Sequence, residues 1–456
     1  MTVLLKHPSV GAWRGTYPAS EVTECLRVAV EERRRMILQR GPGAPDTAEG
    51  TLQAVVERAG ELLSAMTAPR VTRAINATGI LLHTGLGRAV FASTVVDDLL
   101  PELKGCCTLA VNRATGDRAE RDELLEPLLA RLTGAEAGTV VNNNAAATLL
   151  VLAGLAAGRE VIVSRGQLVE IGGSFRLPEV MAESGARLVE VGATNRTHLR
   201  DYERAITANT AAILRVHPSN YRIVGFTNEV PLADLVALAR ARGVMVWDDL
   251  GAGALVDLRR FGLPYEPTVQ ESMRAGADLA FFSGDKLIGA SQAGLIVGRR
   301  DLIHRLRKHP LMRALRVDKT CLLILERTLR LFCDPERLAV VHPTYQMLST
   351  SLETLRARAE SLRARLAVQA PQLETRVTES VAFLGSGAVP AQGIPSMALQ
   401  ISHAELSAEE LARRLRMEPV PVFGRIEADA LVLDMRTVRE DEADVVAEAL
   451  VGVVSP

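Results

Sequence analysis

The chain has few aromatic residues and almost no net charge. The first limits how its core can be built, and the second limits how it can bind nucleic acids. Aromatic side chains make up 4% of its 456 residues, so the core must be built mainly from Ala, Val and Leu. The formal net charge is −1, which excludes a global basic field of the kind that attracts nucleic acids. A nucleic acid would therefore have to bind at a local basic patch.

Cysteines and long apolar runs are also scarce. The five cysteines are irregularly spaced, and no C-x-x-C pair with metal-binding spacing occurs, so we predict no metal site and a reducing compartment. No segment reaches the roughly 18 uninterrupted apolar residues of a membrane helix. The N-terminus lacks the apolar stretch of a signal peptide. We therefore expect a cytoplasmic protein that does not bind membranes.

The length predicts two or three domains. Residues 21–41 and 51–68 have helical apolar spacing and flank a loop rich in Gly and Pro, which predicts a small helical N-terminal domain. After Asp334-Pro335, a long helix is predicted through residues 346–367, followed by mixed strands and helices. The predicted domains are a helical one at 1–68, a large catalytic one at 69–335 and a small α+β one at 336–456.

The large domain shows short apolar runs that alternate with segments of helical length. This alternation predicts an α/β fold with a mostly parallel central sheet covered on both faces. Such sheets bind ligands at the carboxyl ends of their strands, and polar residues cluster there in this chain. The predicted strands lie within residues 138–144, 160–166, 187–192, 211–219, 243–249, 279–285 and 293–298.

The stretch 281-FFSGDKLIGASQAGLIVG-298 contains a single lysine, Lys286, directly after a predicted buried strand. Burial lowers the pKa of a lysine, and a neutral amine can form an imine with an aldehyde such as pyridoxal 5'-phosphate. We therefore predict that Lys286 carries this cofactor as a Schiff base. The alternative is a lysine whose ammonium group reaches solvent at the end of the strand.

Two acids, Asp248 and Asp249, follow the apolar run that ends at Trp247. A carboxylate at this place can pair with a pyridinium nitrogen and keep the ring protonated. We favour Asp249, because Gly251 lies two residues later and leaves room for a flat ring. The alternative is that an acid here caps the following helix.

The stretch 142-NNNAAATLLVL-152 follows a predicted strand and opens a predicted helix. The backbone N–H groups of such a helix start can bind the cofactor phosphate, which makes Asn143, Asn144 and Ala145 candidate cofactor-binding residues. Ser283 adds a hydroxyl group, and His217 lies past a neighbouring strand. For the asparagines, the alternative is a simple helix cap.

Three arginines are candidates for binding an anion. Arg88 ends the stretch INATGILLHTGLGR, and Arg313 and Arg316 are three residues apart, which predicts that both lie on one helix face. Two guanidinium groups side by side suit a tetrahedral oxyanion. The alternative is a basic helix face exposed to solvent.

Together these motifs resemble one family, the bacterial selenocysteine synthases, or L-seryl-tRNA(Sec) selenium transferases. The resemblance spans about residues 75 to 335. It rests on the stretches INATGILLHTGLGRA, LTGAEA, VVNNNAAATLLVL, VSRGQLVEIGGSFRLPEV, GATNRTHLRDYERAI, VHPSNYRIVGFT, DDLGAGALVDL, FFSGDKLIGASQAGLIVG and HPLMRALRVDKTCLLILE.

The resemblance implies a fold-type-I pyridoxal phosphate enzyme that forms a ring-shaped homo-oligomer, a decamer. It implies conversion of seryl-tRNA(Sec) to selenocysteyl-tRNA(Sec), with loss of the serine hydroxyl and addition of selenium from selenophosphate. The N-terminal domain is implied to bind the selenocysteine tRNA. Lys286 is implied as the Schiff-base lysine, Asp285 as part of the active site, and Arg88, Arg313 and Arg316 as contacts of the selenophosphate oxyanion.

Two other functions remain open at this point. One is a pyridoxal phosphate lyase that acts on a small amino acid or amino-sugar acid, for which residues 1–68 would be unnecessary. The other is a non-catalytic tRNA-binding protein with the same fold, against which the presence of Lys286 and the three arginines argues.

Overall fold

The computed structural model describes residues 2–40, 47–172, 175–387 and 392–454. It divides into two compact units, Met1–Arg73 and Ala74–Pro456. The first unit ends slightly beyond the predicted domain limit at residue 68. Residues 336–456 do not separate as a third unit, so the three predicted domains stay a prediction.

The first unit is built from helices. The amphipathic spacing of the sequence places Val22, Leu26 and Ala29 on one face of the second helix, where they pack against Val56 and Ala59 of the third. The Gly- and Pro-rich residues 41–46, predicted as a loop, lie outside the described residues. The helices of this unit are α1 (Pro8–Trp13), α2 (Ala19–Arg40) and α3 (Ala48–Thr67).

The second unit is mixed. Within its described residues, the strands in chain order are β1 (Ile75–Asn76), β2 (Ala137–Val141), β3 (Glu160–Ser164), β4 (Glu170–Ile171), β5 (Phe175–Arg176), β6 (Arg187–Val191), β7 (Thr210–Val216), β8 (Met245–Gly251), β9 (Leu279–Ser283), β10 (Gly294–Gly298), β11 (Leu373–Phe383), β12 (Gly393–His403), β13 (Val422–Phe423), β14 (Arg425–Glu427) and β15 (Ala430–Asp434). The helices are α4 (Ser93–Lys104), α5 (Glu126–Thr133), α6 (Asn144–Ala156), α7 (Leu177–Glu183), α8 (Leu199–Ala205), α9 (Leu232–Arg242), α10 (Val269–Ala275), α11 (Arg300–Lys308), α12 (Pro310–Ala314), α13 (Lys319–Leu331), α14 (Leu338–Val341), α15 (Pro343–Ser349), α16 (Leu352–Gln369), α17 (Ala408–Met417) and α18 (Ala443–Val454).

A seven-stranded sheet forms the centre of this unit, in the order β2-β10-β9-β8-β7-β3-β6. Strand β10 runs antiparallel to both of its neighbours, and the pairs from β9 to β6 are all parallel. Each of the seven predicted strands forms one strand of this sheet, which confirms the predicted mostly parallel architecture.

Both faces of the sheet are covered, as its continuous apolar runs predict. In β9, Leu279 and Phe281 enter a core shared with α6, whereas Ala280 and Phe282 enter the core on the other face. All five residues of β9 are buried. Burial on both faces leaves only the strand ends open to ligands.

A second sheet, in the order β11-β12-β15-β14, lies near the C-terminus and has its own apolar core. Strand β1 pairs with β13, so residues 75–76 belong structurally with this C-terminal region. The single helix predicted through 346–367 is wrong: α15 ends at Ser349, and Ser351 begins α16 by accepting the Thr354 N–H at 3.1 Å. None of the helices in the described residues is long and apolar enough to cross a membrane.

Candidate active site

Three predicted site residues meet at the carboxyl ends of adjacent strands. His217 follows β7, Asp249 lies near the end of β8, and Lys286 follows β9. The His217 N–H donates to the Asp249 carbonyl at 2.8 Å. Because neighbouring parallel strands end at the same edge, residues far apart in sequence come together here.

Lys286 is buried, with 8% of its surface exposed. Burial lowers the pKa of Lys286, while the carboxylates of Asp285 and Asp249 partly oppose this shift. Among the described residues, no acceptor forms a hydrogen bond or ion pair with its amine. A desolvated amine of this kind has the properties of a lysine that forms an imine.

Asp249 faces α6 and is held by neutral donors. Its carboxylate accepts from the Asn144 side chain at 2.8 Å, from the Gly251 N–H at 3.0 Å and from the Thr148 hydroxyl at 3.3 Å. Gly251 has φ +62°, a left-handed conformation that glycine adopts without strain. Burial raises the pKa of Asp249 to about 6, although these donors lower it.

Asp248 points to the opposite face of the sheet, because successive strand residues alternate. Its carboxylate accepts from the Arg215 guanidinium at 3.1 Å and from the Ser272 hydroxyl at 2.6 Å. Asp248 is fully buried in this pairing. The structure therefore brings Asp249 and not Asp248 towards Lys286. That Asp249 pairs with the pyridine nitrogen stays a prediction.

The start of α6 has the shape of an anion site, but its asparagine side chains are already engaged. Asn143 caps the helix by accepting the Ala146 N–H at 2.8 Å, and Asn144 binds Asp249. The backbone N–H groups of Asn144 and Ala145 remain as donors, because they have no partner within the helix. Ser283 is the last residue of β9 and is buried.

Arg88 forms an ion pair with Asp285, the residue before Lys286. It lies on a tight turn in which Gly87 has φ +92° and Arg88 itself has φ +65°, and its N–H donates to the His83 carbonyl at 3.0 Å. A left-handed conformation is uncommon for arginine and costs free energy. The turn thus orients the Arg88 guanidinium towards Asp285, the residue before Lys286.

Arg313 and Arg316 do not share a helix face, so that prediction is wrong. Helix α12 ends at Ala314, and the Leu315 carbonyl accepts the Asn142 N–H at 3.0 Å instead of continuing the helix. The Arg313 guanidinium nevertheless lies close enough to Arg316 to affect its pKa. Desolvation and the guanidinium groups of Arg121 and Arg313 lower the pKa of Arg316, which indicates that other cationic side chains lie near it.

Sequence reasoning missed Glu266, a buried acid whose Oε1 lies 3.1 Å from His217 Nε2. Both residues line a cavity of about 260 Å³ together with Ser164 and Tyr221. No periodic pattern marks Glu266, since it lies in a loop between two prolines. Thr148 was also missed, although its position four residues after Asn144 places both on one helix face.

A solved structure shares this architecture. The structure of D-glucosaminate-6-phosphate ammonia-lyase matches with a TM-score of 0.59 and 19% identity, covering 86% of this chain and 97% of that one. At this identity the likeness shows the fold, and it agrees with the predicted fold-type-I architecture.

Sequence comparisons are more specific. The family model described as SelA, L-seryl-tRNA selenium transferase, matches residues 74–439. A protein of Desulfomicrobium baculatum named L-seryl-tRNA(Sec) selenium transferase is 49% identical over 87% of this chain and 86% of its own length. The protein of the same name from Geotalea daltonii is 44% identical over 100% of both chains. The chain therefore belongs to the L-seryl-tRNA selenium transferase family.

Proposed function

We propose that this protein is a pyridoxal-phosphate-dependent L-seryl-tRNA(Sec) selenium transferase that uses Lys286 to hold its cofactor. The observation that carries the proposal is the match over the whole chain to a relative of that name. The lyase alternative lacks comparable support, because the ammonia-lyase shares only the fold at 19% identity. The enzyme would act in the cytoplasm, where the irregularly spaced free cysteines stay reduced.

The residues at the strand ends fit pyridoxal phosphate. Lys286 provides a desolvated amine for the aldehyde, Asp249 an acid for the pyridine nitrogen, and the first turn of α6 N–H donors for the phosphate. His217 and Ser283 complete the predicted cofactor contacts. When bound, the cofactor supplies an electron sink that stabilises negative charge at the serine Cα.

We propose that the amine of Lys286 is the base that removes the serine Cα proton. Burial lowers the pKa of this amine, which favours its neutral form, and Asp285 is the preceding residue in the chain. Asp249 would hold a proton at the pyridine nitrogen. Among the residues that the structure describes, its hydrogen-bond donors are neutral, in contrast to Asp248, which is bound to Arg215.

Arg88, Arg313 and Arg316 would bind selenophosphate, the proposed selenium donor. The position of Arg316 near the guanidinium groups of Arg121 and Arg313, which lower its pKa together with desolvation, supports a site that attracts an anion. Arg88 is already paired with Asp285, so it would link the anion to the acid beside Lys286.

The variants Arg313→Ala and Arg316→Ala would test the proposed anion site. Each should weaken the use of selenophosphate about tenfold or more, because a charge-assisted contact contributes about 1.5–3 kcal/mol. Binding of the tRNA should change little. Lysine at either position should rescue only in part, since it lacks the planar fork. An equal loss in tRNA binding would assign these arginines to the nucleic acid instead.

The helical unit Met1–Arg73 would bind the selenocysteine tRNA. Its helix α2 exposes Arg34 and Arg35, which suit contacts with phosphates. Deleting residues 1–68 should leave a folded protein that binds the cofactor but has lost affinity for the tRNA in a gel-shift assay. We also propose a homo-oligomer, a decamer, which light scattering of the full chain would measure.

The central test concerns the cofactor bond. The purified protein should show an absorbance band of lysine-bound cofactor, which borohydride abolishes. Mass spectrometry of the digested protein should then find the reduced cofactor on the peptide that contains Lys286. A label on another lysine, or no label at all, would refute the assignment.

A further inference from the structure

Two side chains outside the site form hydrogen bonds with the backbone of the turn that follows Lys286. His342 lies next to Ile288, with 2.9 Å between its Nε2 and the Ile288 carbonyl oxygen. Tyr345 donates its hydroxyl to the Leu287 carbonyl at 3.0 Å. Because a carbonyl only accepts, His342 must carry its proton on Nε2. Two consecutive carbonyls after Lys286 are thus fixed by two donors.

Both donors are buried, at 1% exposure for His342 and 0% for Tyr345. Burial lowers the pKa of His342 to about 4, so the ring is neutral and remains a donor at neutral pH. Burial also raises the pKa of Tyr345, which keeps its hydroxyl protonated. Burying two polar side chains is costly unless they bind a specific partner, and their partners here are the carbonyls behind Lys286.

The turn is shaped to receive His342. Gly289 has φ +74°, and its N–H donates to the Lys286 carbonyl at 3.0 Å. A Cβ atom at Gly289 would lie 2.2 Å from Cε1 of His342, which is far closer than atoms can approach. The imidazole therefore fills the space that the missing side chain leaves open.

Helix α15 connects this support to the C-terminal sheet. His342 precedes the helix, and Tyr345 lies within its first turn. At the other end, the buried Arg436, which follows β15, donates to the carbonyls of Met347 at 2.7 Å and Thr350 at 3.0 Å. The helix is thus bound at one end to the lysine turn and at the other to the C-terminal region.

We propose that His342 and Tyr345 are positioning residues that hold the backbone of Lys286 in the orientation its amine needs. This inference rests on the proposed role of Lys286 as the cofactor lysine. Neither side chain is among the residues at the strand ends that face the cofactor. Their effect is geometric, because fixing the Leu287 and Ile288 carbonyls restricts the backbone that carries the amine, and small misplacements of a reacting group slow catalysis strongly.

The test uses the holoenzyme with Tyr345→Phe, His342→Leu and His342→Gln. The first two remove a donor, and Gln keeps an N–H close to the position of Nε2. We expect Tyr345→Phe and His342→Leu to lower kcat about tenfold with the KM for seryl-tRNA unchanged, and His342→Gln to recover most of the rate. The ratio of visible circular dichroism to absorbance of the bound cofactor should change in the same two variants.

Tyr202→Phe is the matched control. Tyr202 is also fully buried, but it belongs to a different apolar core. It should leave both kcat and the dichroism ratio unchanged. If Tyr345→Phe lowers only the melting temperature, with kcat and the ratio intact, the residue is scaffold alone and the inference is refuted. Absence of borohydride label on Lys286 in the unaltered enzyme would refute the cofactor assignment and this inference together.

Discussion

Two buried aspartates in this protein, Asp249 at the strand ends and Asp434 in the C-terminal sheet, are bound in different ways. Asp434 is fully buried and accepts hydrogen bonds on both oxygens, one of them from the Arg425 guanidinium at 3.3 Å. Asp249 is 5% exposed, and its hydrogen-bond donors within the described part of the chain are neutral, with Lys286 as the cation that influences its pKa. A buried charge that lacks a bonded counter-charge reduces stability, so its presence indicates a function.

The network around Asp434 shows what a purely structural arrangement looks like. Ser380 and Ser396 donate to it at 2.6 Å each, and the Arg436 N–H donates at 3.0 Å. Arg425 also donates to the Thr78 carbonyl at 2.9 Å, so the network ties the chain near β1 to this sheet. Together with Arg425, these donors occupy all four lone-pair positions of the Asp434 carboxylate, so it has none left for a ligand.

Replacing the lysine should have the largest effect. Lys286→Ala should bind no cofactor covalently and should lower selenocysteyl-tRNA formation by roughly a thousandfold or more, because both the cofactor bond and the proposed base are lost. The measurements are the cofactor absorbance and turnover of seryl-tRNA. Lys308→Ala, an exposed lysine on α11, is the control and should retain both. A lysine-bound cofactor band in Lys286→Ala would contradict the assignment.

The two neighbouring acids should differ in catalysis. Asp249→Asn should keep the lysine-bound cofactor but slow exchange of the serine Cα proton with deuterated solvent by roughly 10²- to 10³-fold, since a neutral amide does not stabilise a protonated ring. Asp248→Asn should weaken folding, because Arg215 loses its carboxylate, but the folded enzyme should still exchange the proton. The reverse result would show that Asp248 serves the cofactor.

Asp434→Asn should affect stability and not chemistry. Removing the charge leaves Arg425 without its buried carboxylate, and we expect a loss of about 3 kcal/mol in the free energy of unfolding. Turnover per folded molecule should stay near that of the unaltered enzyme. Asp429→Asn, at an exposed position in a turn, is the control and should change stability by less than about 0.5 kcal/mol. A loss of turnover without a loss of stability would remove the contrast between the two aspartates.

In the cofactor-free protein, Asp249 should make stability depend on pH. The pKa of Asp249 is raised from 3.8 to about 6, so its contribution to stability is present below pH 3.8 and is lost as the pH rises through 6. Asn does not titrate, so Asp249→Asn should be more stable than the unaltered protein by about 3 kcal/mol at pH 8, with the gain disappearing near pH 4. Denaturant unfolding at both pH values measures this. An equal gain at both would mean that ionisation of Asp249 is not the cause.

Local sequence was enough to locate the strands and the lysine. Strand residues that are buried on both faces form continuous apolar runs, and the run before Lys286 and the one before Asp248 are both of this kind. Helical extent was harder to predict. The long segment through 346–367 breaks after Ser349, and α12 ends before Arg316, because hydrogen bonds with distant residues compete with helix continuation at these places.

The sequence by itself determined the alternation of strands and helices, the single buried amine at Lys286 and the pair of acids at the end of β8, since each depends on neighbouring residues alone. Only the tertiary structure decided which acid faces Lys286, because that depends on α6 covering one face of β8 while Ser272 of α10 covers the other. It likewise decided the pairing of Arg88 with Asp285 and the support of the lysine turn by His342. These contacts join residues far apart in the chain, and no local pattern specifies the packing that brings them together.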